Sequence, residues 1–180
     1  FCFGKNRKYC IEKLKELFKG VVIVIEEIKL DNIAVHSRII RDYIKNGDIK
    51  MANKLLGKKY KIYGQKIKGQ GLGAKSFVPT INLKVDEFLL PNEGVYITKT
   101  ILDEQEFNSI TFLGHRFTTD GSYAVETHIL DRDIEDKDYT TQIKFCEKLR
   151  DNKKFDSFEE LKNQILDDIK SAKNYFINIY

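Results

Sequence analysis

The chain has 180 residues, of which 42% are hydrophobic and 32% are charged, a balance typical of globular proteins and not of disordered ones. Its net charge of +4 comes from 31 basic and 27 acidic residues whose signs are interspersed. This charge is only weak evidence for a nucleic-acid partner, which we do not expect, and it suits an enzyme that handles phosphates equally well. The longest apolar run, VVIVI, is far too short to span a bilayer, so we expect no membrane span.

The cysteines indicate the compartment of the protein, and the first residue indicates whether the chain is a fragment. Cys2, Cys10 and Cys146 form no C-x-x-C pair, so we expect reduced thiols in a cytoplasmic protein, without zinc or a disulfide. No signal peptide is recognisable, and the chain begins with Phe and not Met. These features indicate a fragment or a processed product.

The first 56 residues have the pattern of an α/β domain. Apolar residues recur at helical spacing in NRKYCIEKLKELFKG, and the β-branched run VVIVIEEI predicts a strand covered on both faces. Two further helices are predicted in HSRIIRDYIKNGD and DIKMANKLLG. A single parallel strand has no neighbour to satisfy its backbone, so residues 1–56 are interpreted as the C-terminal remnant of a larger domain.

The pattern changes to short alternating strands from about Lys58 onward. Six β-rich segments separated by Gly, Asn and Asp predict an antiparallel Greek-key β-barrel; they are KKYKIYGQKIKG, FVPTINLKV, GVYITKTIL, FNSITFLG, SYAVETHIL and TTQIKFCEKLR. The fold class is therefore α+β, with the barrel domain over residues 57–180.

A C-terminal helix follows the predicted barrel. Ser157 and Glu160 have the spacing of a capping box at its start. Its apolar stripe should pack on the outside of the barrel and consists of Phe158, Leu161, Ile165, Ile169, Ala172 and Phe176.

A glycine-rich stretch separates the first two barrel strands. Glycines let backbone N–H groups turn toward an anion, and nearby lysines add positive charge; the residues concerned are Gly64, Gly69, Gly71, Gly73, Lys66, Lys68 and Lys75. The stretch has neither Walker A nor Rossmann spacing. Taken alone, it fits a hairpin loop with solvated lysines at least as well as a phosphate site.

The PTIN motif follows this loop. Pro79 cannot donate a ladder hydrogen bond, so the strand should begin at an edge or a barrel mouth. Thr80 and Asn82 are two apart and project from the same face of a strand. Their oxygens can complete the coordination of a Mg²⁺ ion that takes its other ligands from water and phosphates. The alternative is an ordinary polar strand face.

The stretch AVETHIL is the other candidate for chemistry. Glu126 and His128 share one strand face, and Val125, Thr127 and Ile129 share the other. A partly desolvated carboxylate on a barrel strand suits a general base. The alternative is a solvent-facing glutamate beside a hydrogen-bonded histidine.

In this order, PTIN after a glycine-rich loop, EGVY, VETHIL and KLRDNKKFDSFEEL resemble riboflavin kinase, in particular the C-terminal module of the bacterial bifunctional riboflavin kinase/FMN adenylyltransferases, or FAD synthetases. The kinase-like part covers residues 57–176, and the N-terminal segment resembles the end of the nucleotidyltransferase domain. The resemblance implies an ATP-dependent kinase that converts riboflavin to FMN with Mg²⁺. We expect the protein to be a monomer. FMN adenylylation is not expected, because His36, His115 and His128 form no H-x-G-H motif.

The resemblance also implies roles for individual residues. Glu126 would be the catalytic base, and Thr80 and Asn82 would serve Mg²⁺–ATP. The nucleotide flap would comprise Gly69, Gly71, Gly73 and Lys75, and the flavin side of the site would comprise Leu149, Arg150 and Phe155.

Several positions depart from the family pattern, namely Phe77, Ile81, Phe112, Phe117 and Thr140. They affect packing and loops near the site more than the proposed reacting groups. A non-catalytic flavin-binding barrel, an oligonucleotide-binding barrel and a structural barrel of a larger assembly stay open as alternatives.

Overall fold

The computed structural model describes residues 2–69, 78–135 and 137–178 of the chain. Its backbone contacts divide it into two units, Phe1–Ala34 and Val35–Tyr180. This division lies before the first of two helices that we assigned to the remnant. The domain boundary between residues 56 and 57 stays a prediction.

The first unit contains little regular structure. A 3₁₀ turn at Lys5–Arg7 precedes helix α1, Ile11–Leu17, and a two-stranded antiparallel sheet pairs β1, Lys29–Leu30, with β2, Ile33–Ala34.

The predicted buried strand at VVIVI is wrong. The run has no strand conformation, and Val21, Ile23 and Ile25 are 85%, 81% and 85% exposed. A β-branched run becomes a strand only when neighbouring strands accept its backbone hydrogen bonds. Among the described residues of this unit, the sheet consists of two strands of two residues each, which offers no such ladder.

The two helices that begin the second unit agree with the prediction. Helix α2 spans Ser37–Lys45 and helix α3 spans Ile49–Leu56. The Asp48 carboxylate accepts a hydrogen bond from the Met51 N–H at 3.0 Å and caps α3. Gly57 then ends the helix in the left-handed conformation.

All six predicted barrel strands are confirmed. They are β3, Lys61–Ile67; β4, Ile81–Lys84; β5, Gly94–Leu102; β6, Gln105–His115; β7, Tyr123–Ile129; and β8, Thr141–Asp151. Within the described residues they close into an antiparallel barrel with the order β3-β4-β7-β6-β5-β8. Sequence neighbours β4 and β5 are separated in this order, as Greek-key connections require.

The barrel interior combines an apolar cluster with a group of hydroxyls. Tyr96, Leu113, Ile143 and Phe145 are among its fully buried apolar residues. Next to them, buried hydroxyls satisfy one another by hydrogen bonds of 2.8 to 3.1 Å; they belong to Thr98, Thr100, Ser109, Thr111 and Thr127.

The C-terminal helix α4, Phe158–Ile177, packs on the outside of the barrel as predicted. Ala172 and Phe176 form a buried cluster with Val95, Ile97 and Ile110 of the strands. The Ser157 hydroxyl accepts the Glu160 N–H at 3.1 Å, which confirms the helix cap. Phe158, at the start of the predicted stripe, is 56% exposed.

Candidate active site

A cavity of about 190 Å³ opens on the outer face of the barrel, beside helix α4. The strand alternation explains its position, because Val125, Thr127 and Ile129 fill the barrel interior and Glu126 and His128 must then face outward. The lining includes both of these side chains, and it brings together predicted site residues from three separate segments: Thr80, Asn82, Glu126, Arg150 and Phe155.

Strand pairing brings the proposed base and the proposed metal ligand together. Asn82 of β4 lies directly opposite Glu126 of β7, and Phe112 of β6 lies opposite Glu126 on its other side. Directly opposite residues on adjacent strands have Cβ atoms about 4.5–5.5 Å apart. Asn82 is only 8% exposed, so its amide is largely shielded from solvent.

His128 contacts the backbone just before β4. Its Nδ1–H donates to the carbonyl oxygen of Pro79 at 2.8 Å, one residue before Thr80. Burial lowers the pKa of His128, although this hydrogen bond and nearby acidic groups oppose the shift. The hydrogen bond from Nδ1 therefore fixes the backbone that presents Thr80 to the cavity.

Arg116 also lines the cavity, and the sequence analysis did not identify it. It follows β6 directly, and its Nε and Nη2 donate to Glu126 Oε1 at 2.9 and 2.5 Å. Nη2 also donates to Asn82 Oδ1 at 2.8 Å. One guanidinium thus joins the proposed base to the proposed metal ligand. Its sequence signal is weak, since it is a single arginine after an apolar strand.

A second polar cluster secures the backbone next to Arg116. Glu93 accepts the His115 N–H at 3.1 Å and contacts His115 Nδ1 at 2.7 Å. Asn152 Nδ2 donates at 2.9 Å both to Glu93 and to the His115 carbonyl. Desolvation acts to raise the pKa of Glu93, but the hydrogen bonds from Asn152 and His115 outweigh it and hold that pKa below its usual value.

The opposite part of the cavity combines aromatic surface with a buried ion pair. Arg150 Nη2 donates to Asp168 Oδ2 at 2.8 Å, and Asp168 of α4 is only 5% exposed. The Arg150 guanidinium lies 5.7 Å from the centre of the Phe155 ring. Leu149 is not in the cavity lining, and it packs with the cluster beneath α4. Its flavin-binding role stays a prediction.

The proposed nucleotide flap is only partly within the described residues. Gly71, Gly73 and Lys75 lie outside them. Gly69 lies so close to Asn82 that a Cβ there would be 2.4 Å from Asn82 Nδ2. A further cavity of about 210 Å³ extends between Ile67–Gly69 and the Asn82–Arg116 pair. The base of the loop therefore adjoins the proposed metal ligand.

The side-chain oxygens of Thr80 and Asn82 suit a hard cation that takes most of its ligands from water and substrate. Thr80 offers a hydroxyl and Asn82 an amide oxygen that already accepts from a cationic group. The described residues contain no cluster of three His, Cys, Asp or Glu side chains that could hold a metal. The two neutral oxygens of Thr80 and Asn82 fit Mg²⁺, which commonly keeps water and substrate phosphates as further ligands.

Comparison with known proteins places these motifs in a family context. A family model described as Flavokinase, riboflavin kinase, matches residues 56–176. A bifunctional riboflavin kinase/FMN adenylyltransferase from Haemophilus influenzae is 34% identical over 181 residues, covering 98% of this chain and 59% of that protein. The protein of the same name from Bacillus subtilis is 27% identical over 186 residues, covering 99% of this chain and 59% of its own length. The chain thus spans about three-fifths of these relatives.

A solved structure shows the same fold. A crystal structure described as a macrolide-efflux protein from Streptococcus pneumoniae superposes with a TM-score of 0.86 at 30% identity, covering 97% of this chain and 58% of that one. Among the described residues, every helix is too short or too polar to serve as a bilayer-spanning segment.

Proposed function

Because the chain belongs to the riboflavin kinase family, we propose that it transfers the γ-phosphate of ATP to the ribityl 5′-hydroxyl of riboflavin, giving FMN and ADP. The observation that supports this reaction best is the cross-strand pair of Glu126 and Asn82 at one end of a partly apolar cavity. A carboxylate and an amide oxygen on adjacent strands can serve the acceptor hydroxyl and the phosphates at the same time.

Glu126 orients the acceptor hydroxyl and takes its proton. The hydroxyl oxygen then bonds to the γ-phosphorus, and the bond from that phosphorus to the β–γ bridging oxygen breaks with its electron pair going to ADP. Catalysis of this kind is mainly alignment and charge neutralisation. The half-buried Glu126 side chain, 24% exposed, is held in place by the neighbouring Arg116.

Thr80 and Asn82 would hold Mg²⁺ through their side-chain oxygens, with His128 fixing the backbone before Thr80. When bound, this ion neutralises charge on the transferring phosphoryl group. The base of the glycine-rich loop, next to Asn82, suits the polyphosphate side.

The apolar part of the cavity would receive the isoalloxazine ring. Phe112, Phe117 and Phe155 supply aromatic surface, and Leu161 and Ile165 of α4 supply aliphatic surface. Aromatic and aliphatic surface of this kind is typical of sites for flat aromatic ligands. Phe112 and Phe117, which depart from the family pattern, enlarge this surface.

The decisive experiment replaces the base and measures two properties. Glu126→Gln should lower kcat for FMN formation by about 10²–10⁴-fold, because the amide keeps the shape but cannot take the proton. Riboflavin binding, followed by quenching of flavin fluorescence, should change little. Glu135→Gln, which changes an exposed side chain outside the cavity lining, is the matched control. Normal turnover by Glu126→Gln would exclude the proposed base.

The cytoplasmic location, the monomeric state and the lack of FMN adenylylation stay predictions. Incubating the purified chain with FMN and ATP and looking for FAD tests the last of these directly.

A further inference from the structure

Arg116 places one positive charge between two groups that the proposed reaction needs separately. Its Nη2 is within hydrogen-bond distance of both Asn82 Oδ1, at 2.8 Å, and Glu126 Oε1, at 2.5 Å. The side chain is largely covered, with 16% exposed. The guanidinium therefore occupies a position from which a cation could contact Asn82.

The surrounding turn is built to hold this guanidinium. Nη1 donates to the Ser122 hydroxyl at 2.7 Å, and that hydroxyl in turn donates to Asp120 at 2.8 Å. The Arg116 backbone N–H donates to the Ser122 carbonyl at 2.9 Å, which closes the connection between β6 and β7. Arg116 thus has an anchor that does not depend on Asn82.

The contacts of Arg116 with Glu126 and with Asn82 have different consequences for ligand binding. Both N–H groups that reach Glu126 end on Oε1, so Oε2 accepts neither of them and can face the hydroxyl. Asn82 has one amide oxygen, and a divalent cation on that oxygen would meet the positive charge of Nη2. Like charges this close repel strongly in a partly desolvated site, so one of the two must move.

We propose that Arg116 is a positioning residue that competes with the divalent cation for Asn82 and fixes Glu126 throughout the reaction. The inference rests on the proposed function. The guanidinium bridges Asn82 and Glu126 in the structure. When metal and nucleotide bind, it gives up Asn82 and keeps its bonds to Glu126 and Ser122, so the base stays oriented.

The test separates metal binding from turnover. Arg116→Gln removes the competing charge and the fork that holds Glu126. Titration of Mn²⁺ in the presence of ADP, followed by electron paramagnetic resonance, should show roughly three- to tenfold tighter metal binding, as expected from removing a like charge beside a partly exposed site. At saturating Mg²⁺, kcat for FMN formation should fall at least about tenfold.

Two further variants complete the series. Arg132→Gln removes the same charge from a guanidinium that lies over Phe107, outside the cavity lining, and should leave both measurements unchanged. Ser122→Ala keeps the charge but loses the anchor, so kcat should fall less than in Arg116→Gln and Mn²⁺ affinity should stay near that of the wild type. If Arg116→Gln does not fold, the same two measurements on Ser122→Ala still test the proposal.

The proposal requires that Arg116→Gln binds Mn²⁺ more tightly than the wild type and has a lower kcat. Weaker or unchanged Mn²⁺ binding by folded Arg116→Gln overturns the proposal, because a merely structural arginine would lower affinity and kcat together. An unchanged kcat for that variant also overturns it. Failure of the wild type to form FMN contradicts the proposed function instead, since the Mn²⁺–ADP titration needs no turnover.

Discussion

Gly114 shows how a single residue position constrains the site. It has a φ of +143°, and a Cβ there would lie 2.7 Å from Glu93 Oε2 and 2.9 Å from Asn152 Nδ2. These are the atoms that hold the His115 backbone in place, one residue before Arg116. A side chain at position 114 would therefore strain the backbone and separate the partners of Glu93.

We expect Gly114→Ala to destabilise the protein by about 1–3 kcal/mol through backbone strain alone, with the lost contacts to Glu93 adding to this. Because the adjoining turn carries Arg116, kcat should fall as well. Urea unfolding and FMN formation measure the two effects. Gly57→Ala is the matched control, since Gly57 also has a positive φ but has open space around its Cβ position. Equal losses in both variants would show that the Glu93 cluster is unimportant.

At the scale of elements, the candidate site depends on a contact between strand β7 and the residues just before β4. The hydrogen bond from His128 to the Pro79 carbonyl joins the two strands just outside their ladder, where Pro79 itself cannot donate. Burial lowers the pKa of His128 below 6.5. The unfolded chain therefore binds a proton at this residue more readily than the folded chain does.

This shift gives a pH dependence of stability with a definite sign. Well above pH 6.5 His128 is neutral in both states, and its contribution to stability is complete. As the pH falls below 6.5 toward the pKa of the folded state, protonation favours the unfolded chain and stability is lost. The free energy of unfolding of the wild type relative to His128→Gln should therefore decrease from pH 7.5 to pH 5. A constant difference would contradict this account.

At the scale of the whole molecule, helix α3 packs against the barrel and contributes to its core. Ile49, Ala52 and Leu55 are 1%, 0% and 5% exposed, and Ile49 belongs to the barrel's core cluster. Asn53 Nδ2 donates to the Phe145 carbonyl at 2.9 Å, and Asn53 Oδ1 accepts the Tyr60 N–H at 2.6 Å. These contacts close one end of the barrel next to β8.

A pair of truncated chains tests where the barrel domain begins. Residues 57–180 should be less stable than residues 35–180 by at least about 3 kcal/mol. The reason is that the shorter chain lacks the buried side chains of Ile49 and Leu55. Circular dichroism with urea as denaturant measures the difference. Equal stability of the two chains would support the boundary between residues 56 and 57.

Local pattern was sufficient for most elements of the fold and for part of the site. Period-two alternation identified the six strands, and it also predicted that Glu126 and His128 face away from Val125 and Ile129. It could not identify Arg116, because its partners lie 10 and 34 residues away in the sequence. Asp168, the partner of Arg150, was missed for the same reason.

The sequence by itself determined the barrel, its C-terminal helix and the faces of the strands, because alternation and capping act between residues that are close along the chain. Tertiary structure alone decided that most of VVIVI is exposed and that Asn82, Arg116 and Glu126 meet. Burial and ion pairing depend on which distant segments become neighbours, and that depends on strand order and register.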